Sequence, residues 1–166
     1  FDNYSLEEVL SLDNACVKAF SSKEIELMHK IWEKGLNAPK SSSVGRIFDS
    51  IASLSGLAQM QSYEGETGLK LEQAYNKSIT KAYTFSIVEG KISLKSMIKE
   101  LLEDKDSSII ASKFINMLVE IILFISKEYT CPVVLTGGVF QNKTLLELVS
   151  KRLKDENREF YYSKKI

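Results

Sequence analysis

Histidine is nearly absent from this chain, with one among 166 residues, and there are only two cysteines and two prolines. With His29 alone, a multi-histidine metal site is excluded and a catalytic triad lacks a choice of base, so His29 reads as an ordinary helix-surface histidine. Cys16 and Cys131 lie far apart with no Cys-x-x-Cys spacing, which argues against a zinc knuckle or redox pair and fits two reduced, buried thiols of a cytoplasmic protein. An excess of either charge is also lacking. The 22 basic residues cancel the 22 acidic ones, so no overall field draws the chain to nucleic acid or an anionic membrane. The longest apolar run, residues 117–125, is broken by Glu120 and reads as core, too short and too acidic to span a bilayer. The opening Phe1-Asp2-Asn3-Tyr4 carries no starting Met, basic leader or signal core, and reads as a segment that begins inside a longer protein. No G-x-S-x-G elbow, Walker loop or G-x-G-x-x-G stretch occurs, so the familiar catalytic motifs are missing too.

What is present is the pattern of one helix-rich α/β domain spanning residues 1–166, long enough to bury a core without staples. Ser22 ahead of Lys23-Glu24-Ile25-Glu26 predicts a capped helix over 23–34, ended by Gly35. Residues 37–43, with Pro39 and three serines, read as a loop. From Val44 the apolar positions Ile47, Phe48, Ile51, Leu54 and Ala58 recur at helical spacing up to about Gly56. Another helix is expected over 65–77, a hairpin over 83–88 and 91–93 around Glu89-Gly90, and helices over 94–104 and 108–129. Residues 132–135 then read as a buried strand, 142–154 as a helix and 159–163 as a last strand.

Three local patterns could carry binding chemistry. In Val133-Val134-Leu135-Thr136-Gly137-Gly138-Val139-Phe140-Gln141-Asn142, paired glycines between strand and helix either admit a ligand to bare backbone, with the helix amides facing its phosphates or ribose, or simply make a tight turn. Gly45, Arg46 and Asp49 begin a helix after a serine loop, and the arginine and aspartate either hold a ligand or pair with each other. In Tyr63-Glu64-Gly65-Glu66, two carboxylates at a helix start read as dipole partners rather than catalysts.

Taken in order, Asn37-Ala38-Pro39, Ser42 to Asp49, Tyr63 to Glu66 and Thr136-Gly137-Gly138-Val139-Phe140-Gln141-Asn142 resemble the HypF carbamoyltransferases of nickel-iron hydrogenase maturation across most of the chain. The resemblance implies the second lobe of an actin-like, sugar-kinase-like two-lobed nucleotide-binding fold. It also implies an intact enzyme that converts carbamoyl phosphate and ATP to carbamoyl adenylate and passes the carbamoyl group to the C-terminal cysteine of HypE. By similarity, Gly137, Gly138 and Asn142 would meet the adenosine or phosphate end of ATP or carbamoyl adenylate. Gly45, Arg46 and Asp49 would face its ribose or adenine, and Glu64 would share the pocket. The expected partners are the remainder of HypF and a HypE-like acceptor, with no nucleic acid and no membrane. A metal ion is expected in the intact enzyme but not on this chain, because the family's paired-histidine motif and its Asp-Gly-Gly-type segment have no counterpart here. The parent reaction is therefore expected to need groups from outside these residues. A tRNA threonylcarbamoyl transferase lobe and a non-catalytic interaction domain of the same fold are the other readings.

Overall fold

The computed structural model describes residues 1–163. Its centre is a helix, α7 (Ser107–Ser126), and the route by which the chain wraps around it decides where the open cleft falls. Two short helices not foreseen from the sequence, α1 (Leu6–Ser11) and α2 (Ala15–Lys18), precede α3 (Ser22–Glu33). Their signals were local. Ser5 and Glu8 form a reciprocal capping box and Asn14 caps α2. The cap of α3 is Ser21 rather than Ser22, because the box that closes its start pairs Ser21 with Glu24 three residues on.

After the expected loop come α4 (Val44–Leu54) and α5 (Glu66–Ala74), which pack on each other. The apolar stripe of α4 buries Phe48 and Ile51, while Ala58, expected on the same helix, is buried just beyond its end. The second of these helices stops before residue 77, because the amide of Asn76 donates to Ser112 Oγ on α7 at 2.8 Å and leaves the helical ladder. Asn116 of α7 then donates to the carbonyls of Ile79 and Lys81, both at 2.9 Å, and accepts from Tyr75 Oη. This fixes the connecting segment to the central helix. The hairpin is β1 (Ser86–Val88) and β2 (Lys91–Ser93), antiparallel, with positive φ at both Glu89 and Gly90 as a tight two-residue turn requires. It leads into α6 (Lys95–Glu103).

The central helix is α7 (Ser107–Ser126), capped by Asp106 and buried at eleven positions. Its 20 residues and mean hydropathy of 2.0 make it long and apolar enough to cross a membrane, contrary to the expectation from residues 117–125. The expectation counted residues 117–125 alone, short of the full helix. The position of α7 is nonetheless that of a core helix, with Phe114 edge-on to Phe48 at 5.0 Å and α5 and α8 packed against it. Each such side chain, moved fully out of water, contributes about 1.5–3 kcal/mol before entropy is counted. The helix ends three residues short of Tyr129. Arg158 Nη2 donates to the carbonyls of Ser126 and Tyr129 at 2.8 and 2.7 Å, satisfying a chain that has already turned towards Pro132.

The last unit is β3 (Val133–Leu135), a 3-10 turn (Gly138–Gln141), α8 (Lys143–Asp155) and β4 (Phe160–Tyr162), with β3 and β4 parallel in the register Val133 to Phe160. β3 is not the buried strand that its apolar sequence suggested. Leu135 faces the core, but Val134 is 63 % exposed because only one face of the pair is covered by helices. The thiols differ from expectation as well: both are free, but Cys16 is half-buried and Cys131 exposed.

Candidate functional site

Three chain turns open onto one cleft of about 970 Å³: the start of α4, the start of α5 and the 3-10 turn after β3. Each is a place where backbone amides have no intrahelical acceptor. Four helix starts away from the cleft are covered by side chains, those of Ser5, Asn14, Ser21 and Asp106. At the cleft it does not. Ser43 stands at the cap position of α4 but makes no cap bond, Gly65 caps α5 without a side chain, and Gly137 precedes the 3-10 turn. Among the described residues, the amides of Val44, Gly45, Thr67, Gly68, Gly138 and Val139 find no hydrogen-bond partner. Uncapped helix ends of this kind attract anions and polar ligands.

The glycines divide into two kinds. Gly65 and Gly137 have φ of +89° and +96°, a backbone conformation that a side chain would strain. Gly138 and Gly45 have no such requirement. A Cβ on Gly138 would meet no protein atom within 4 Å, and one on Gly45 would meet only Ser43 Oγ at 3.5 Å. Nothing inside the protein demands glycine at either place, whereas a ligand lying against the backbone would.

Six of the seven residues singled out from the sequence line this cleft: Gly45, Arg46, Asp49, Glu64, Gly138 and Asn142. Gly137 does not line it and contributes the turn that presents Gly138. Arg46 and Asp49 pair with each other at 3.0 Å, and Asp49 also accepts from Thr67 Oγ1 at 2.6 Å, which ties α4 to the first turn of α5. Glu64 is exposed at the mouth. Glu66 is turned away from the cleft: it accepts from Ser62 N at 2.6 Å and pairs with Lys70 at 2.8 Å. Lys70 first, and then the Ser62 amide, hold its carboxyl below the usual carboxylate range.

Asn142 is the best buried of the set, 8 % exposed, and its side chain is already engaged. Its Oδ1 accepts from Leu145 N at 2.8 Å as the cap of α8, and its Nδ2 reaches the carbonyl of Gly68 at 3.5 Å. The sequence reading missed Glu72. This half-buried carboxylate lines the cleft and accepts from Thr144 N at 2.8 Å and Thr144 Oγ1 at 3.1 Å, closing the start of α8 from α5. Its pairing joins residues 72 apart, and no local pattern announces it. The amides of Thr144, Leu145 and Leu146 at the start of α8 are therefore occupied, whereas both leading amides of the cleft-lining turns of α4, α5 and the 3-10 turn are open.

The lining has one cation, Arg46, against the carboxylates Asp49, Glu64 and Glu72, and contains no His, Cys or Lys. Such a surface can accept hydrogen bonds from hydroxyl or amino groups and donate backbone amides, but it offers no activated nucleophile and no general base of imidazole type. Among the described residues no group of three or more His, Cys, Asp or Glu side chains converges as a metal site would. His29 lies on α3, outside the cleft lining, in an aromatic cluster with the Phe1 ring at 4.9 Å and the Trp32 ring at 5.7 Å.

Comparison with known proteins places these features in context. Residues 4–166 match the family described as carbamoyltransferase, Kae1-like domain, second subdomain. The chain is similar to the carbamoyltransferase HypF of Synechocystis, 36 % identical over 135 residues that make up 76 % of this chain and 18 % of that protein. It is also similar to the probable carbamoyltransferase HypF of Methanocaldococcus jannaschii, 28 % identical over 89 % of the chain and 20 % of the relative. The chain thus spans about a fifth of the length of these curated relatives. Among solved structures, full-length HypF in a phosphate- and nucleotide-bound form superposes with a TM-score of 0.77 at 27 % identity, covering 97 % of this chain and 28 % of that one. HypF of T. kodakarensis shares the fold, with a TM-score of 0.74 at 22 % identity over 96 % of this chain and 23 % of that one.

Proposed function

The chain belongs to the HypF carbamoyltransferase family, as the second subdomain of its Kae1-like domain, and we propose that it forms one wall of an adenine-nucleotide site in a carbamoyl-transfer enzyme. The observation that carries this reading is the meeting of five unpartnered backbone amides, those of Gly45, Thr67, Gly68, Gly138 and Val139, from three separate turns on one cleft, beside glycines that the protein's own packing does not require. The site fits ATP or carbamoyl adenylate. Amides of Gly138 and Val139, and those at the starts of α4 and α5, suit phosphate or ribose oxygens, while Asp49 and Glu64 suit ribose or adenine hydrogens. Bound there, the mixed anhydride supplies an activated carbamoyl group; these residues bind and orient it.

In this reading the chain is part of the second lobe of a two-lobed actin-like fold in a cytoplasmic enzyme. The opposite lobe, a metal ion and the acceptor thiol of a HypE-like protein come from outside residues 1–166. The reaction is acyl transfer from the adenylate to a cysteine, and stabilisation of the developing oxyanion falls to those outside groups. A lobe of a tRNA threonylcarbamoyl transferase would share the fold, but the curated relatives that the chain is similar to carry the name carbamoyltransferase HypF. Calorimetry with ATP on the chain and on Gly138→Val tests the proposal. The variant should keep the parent melting temperature and lose at least about tenfold in affinity, since its side chain enters the cleft and no protein atom. Equal affinity in both would move the nucleotide elsewhere.

A further inference from the structure

The turn that carries Gly138 hangs between the end of β3 and the start of α8, and one residue anchors both elements at their far ends. At the end of α8, Asn157 has a φ of +53°; its amide donates to the carbonyl of Lys154 at 3.0 Å, and the amide of Arg158 to that of Leu153 at 2.8 Å. A left-handed residue just past a helix satisfies its last carbonyls in this way. The Arg158 side chain then runs to the other helix. Its Nη2 donates to the carbonyls of Ser126 and Tyr129, at 2.8 and 2.7 Å, and reaches that of Cys131 at 3.4 Å. One guanidinium thus gathers the residues between the end of α7 and the start of β3. The next residue, Glu159, accepts from Val133 N at 2.9 Å and ties β3 to the chain entering β4.

The two anchored elements differ in how far they depend on Arg158. α8 is fixed along its length as well, through the fully buried Leu145, Val149 and Leu153. β3 has three residues, of which Leu135 alone is buried, and among the described residues it pairs with β4 only. The segment that feeds it, residues 127–132, is exposed at all six positions, so packing does not hold it in place. Hydrogen bonds from a charged, planar donor do, and these are among the stronger ones a chain can make. Beyond Leu135, Thr136 and Gly137 are all that separates the strand from Gly138, so a shift of β3 is passed directly to the turn.

We propose that Arg158, which does not line the cleft, is a positioning residue for the nucleotide turn: by gathering the carbonyls of Ser126, Tyr129 and Cys131 it sets where β3 ends, and so where the amides of Gly138 and Val139 point. It acts from a distance. The 13 residues of α8 span about 20 Å between the turn and the guanidinium's end of the helix. The proposal rests on the nucleotide reading for its ligand, while the hold of Arg158 on the turn can be read with no nucleotide present.

The test compares Arg158→Ala and Arg158→Lys with Ile25→Ala, which truncates a buried side chain of α3 outside the main core and controls for a general loss of stability. All are measured at a temperature where each chain is folded. Without nucleotide, Arg158→Ala should move the amide resonances of Gly138 and Val139 and leave those of Gly45 and Thr67 in place. It should also weaken ATP binding about threefold to thirtyfold, the range found for residues that act on a site without touching its ligand. Arg158→Lys keeps a charged donor but not the planar fork, and should recover part of both effects. Ile25→Ala should lower the melting temperature and change neither. If Arg158→Ala does not fold, Arg158→Lys carries the comparison, with smaller changes of the same sign. Unmoved Gly138 and Val139 resonances with parent affinity, whatever the melting temperature, would overturn the proposal. So would ATP binding that Gly138→Val weakens and Arg158→Ala does not. Resonances that move while neither variant alters ATP affinity would instead count against the nucleotide reading and keep the hold of Arg158 on the turn.

Discussion

The cleft has two sides that treat the same physical problem in opposite ways. On the α8 side the helix start is tied at Thr144 and Leu145: Asn142 caps the helix from within, Glu72 reaches across from α5 to take Thr144, and Leu145, Val149 and Leu153 lock the helix onto the core. On the α4 and α5 side the helix starts are left open, with a serine that makes no cap bond and a glycine that has no side chain to make one. Caps contribute about 1 kcal/mol each, and the chain uses them freely where no cleft is at hand. α6 also starts without a cap, at Leu94, but it does not line the cleft and opens no comparable space. The contrast teaches that the tied side holds the site in shape and the open side offers it to a ligand.

The largest way to break this arrangement is through the floor that both sides share. Phe114→Ala removes a fully buried ring that meets Phe48 of α4 edge-on, and should cost about 3–5 kcal/mol in denaturant unfolding, as large-to-small changes of aromatic core residues do. The tied side is next. Glu72→Ala leaves the amide of Thr144 without an acceptor and unlinks α5 from α8, for about 1–3 kcal/mol of stability, with ATP affinity falling as the two turns drift apart. On the open side the sign reverses. Ser43→Asp supplies the missing cap of α4 and should raise stability by about 0.5–1 kcal/mol while weakening ATP binding, because its carboxylate occupies the amides a ligand would use and repels phosphate. A stabilised variant with unchanged affinity would dissolve the distinction between the two sides.

The smallest effect concerns the capped helices away from the cleft. The Ser5 and Ser21 amides, followed by their hydroxyls, hold Glu8 and Glu24 below the ordinary carboxylate range. A folded-state pKa depressed below its unfolded value gives stability that is present above the unfolded pKa and lost as pH falls through the folded one. Melting followed between pH 5 and pH 3 should therefore show a loss that is smaller in Glu8→Gln and Glu24→Gln than in the parent. Both groups are at the surface, so salt should reduce the difference.

Local physics made much of the fold legible. The helical spacing of Ile47, Phe48 and Ile51, the positive-φ pair Glu89-Gly90 and the order strand, glycines, helix around Gly137 all declare themselves within a few residues, and the structure has them. The misreadings have tertiary causes. The end of α5 is set by Ser112, 36 residues away, and the end of α7 by Arg158, 32 residues away. The exposure of Val134 depends on which face of the β3–β4 pair is covered among the described residues, which the apolar sequence of three residues cannot reveal. The short helix α1 has a local signal in Ser5 and Glu8, a capping-box spacing, and α2 in its cap Asn14. At the site, motif order brought out six lining residues, while Glu72 and the true owner of the free amides emerged only when α5 and α8 were seen side by side.

An amide-resolved titration of the isotopically labelled chain with ATP, with adenosine and inorganic phosphate as separate arms, bears most directly on the account. Resonances of Gly45, Thr67, Gly68, Gly138 and Val139 should move together with ATP, those of Lys143, Thr144 and Leu145 much less, and those of α1 to α3 not at all. Movement confined to the α8 start, or spread over the chain with these five amides silent, would contradict the claim that the uncapped turns are the nucleotide's side of the cleft.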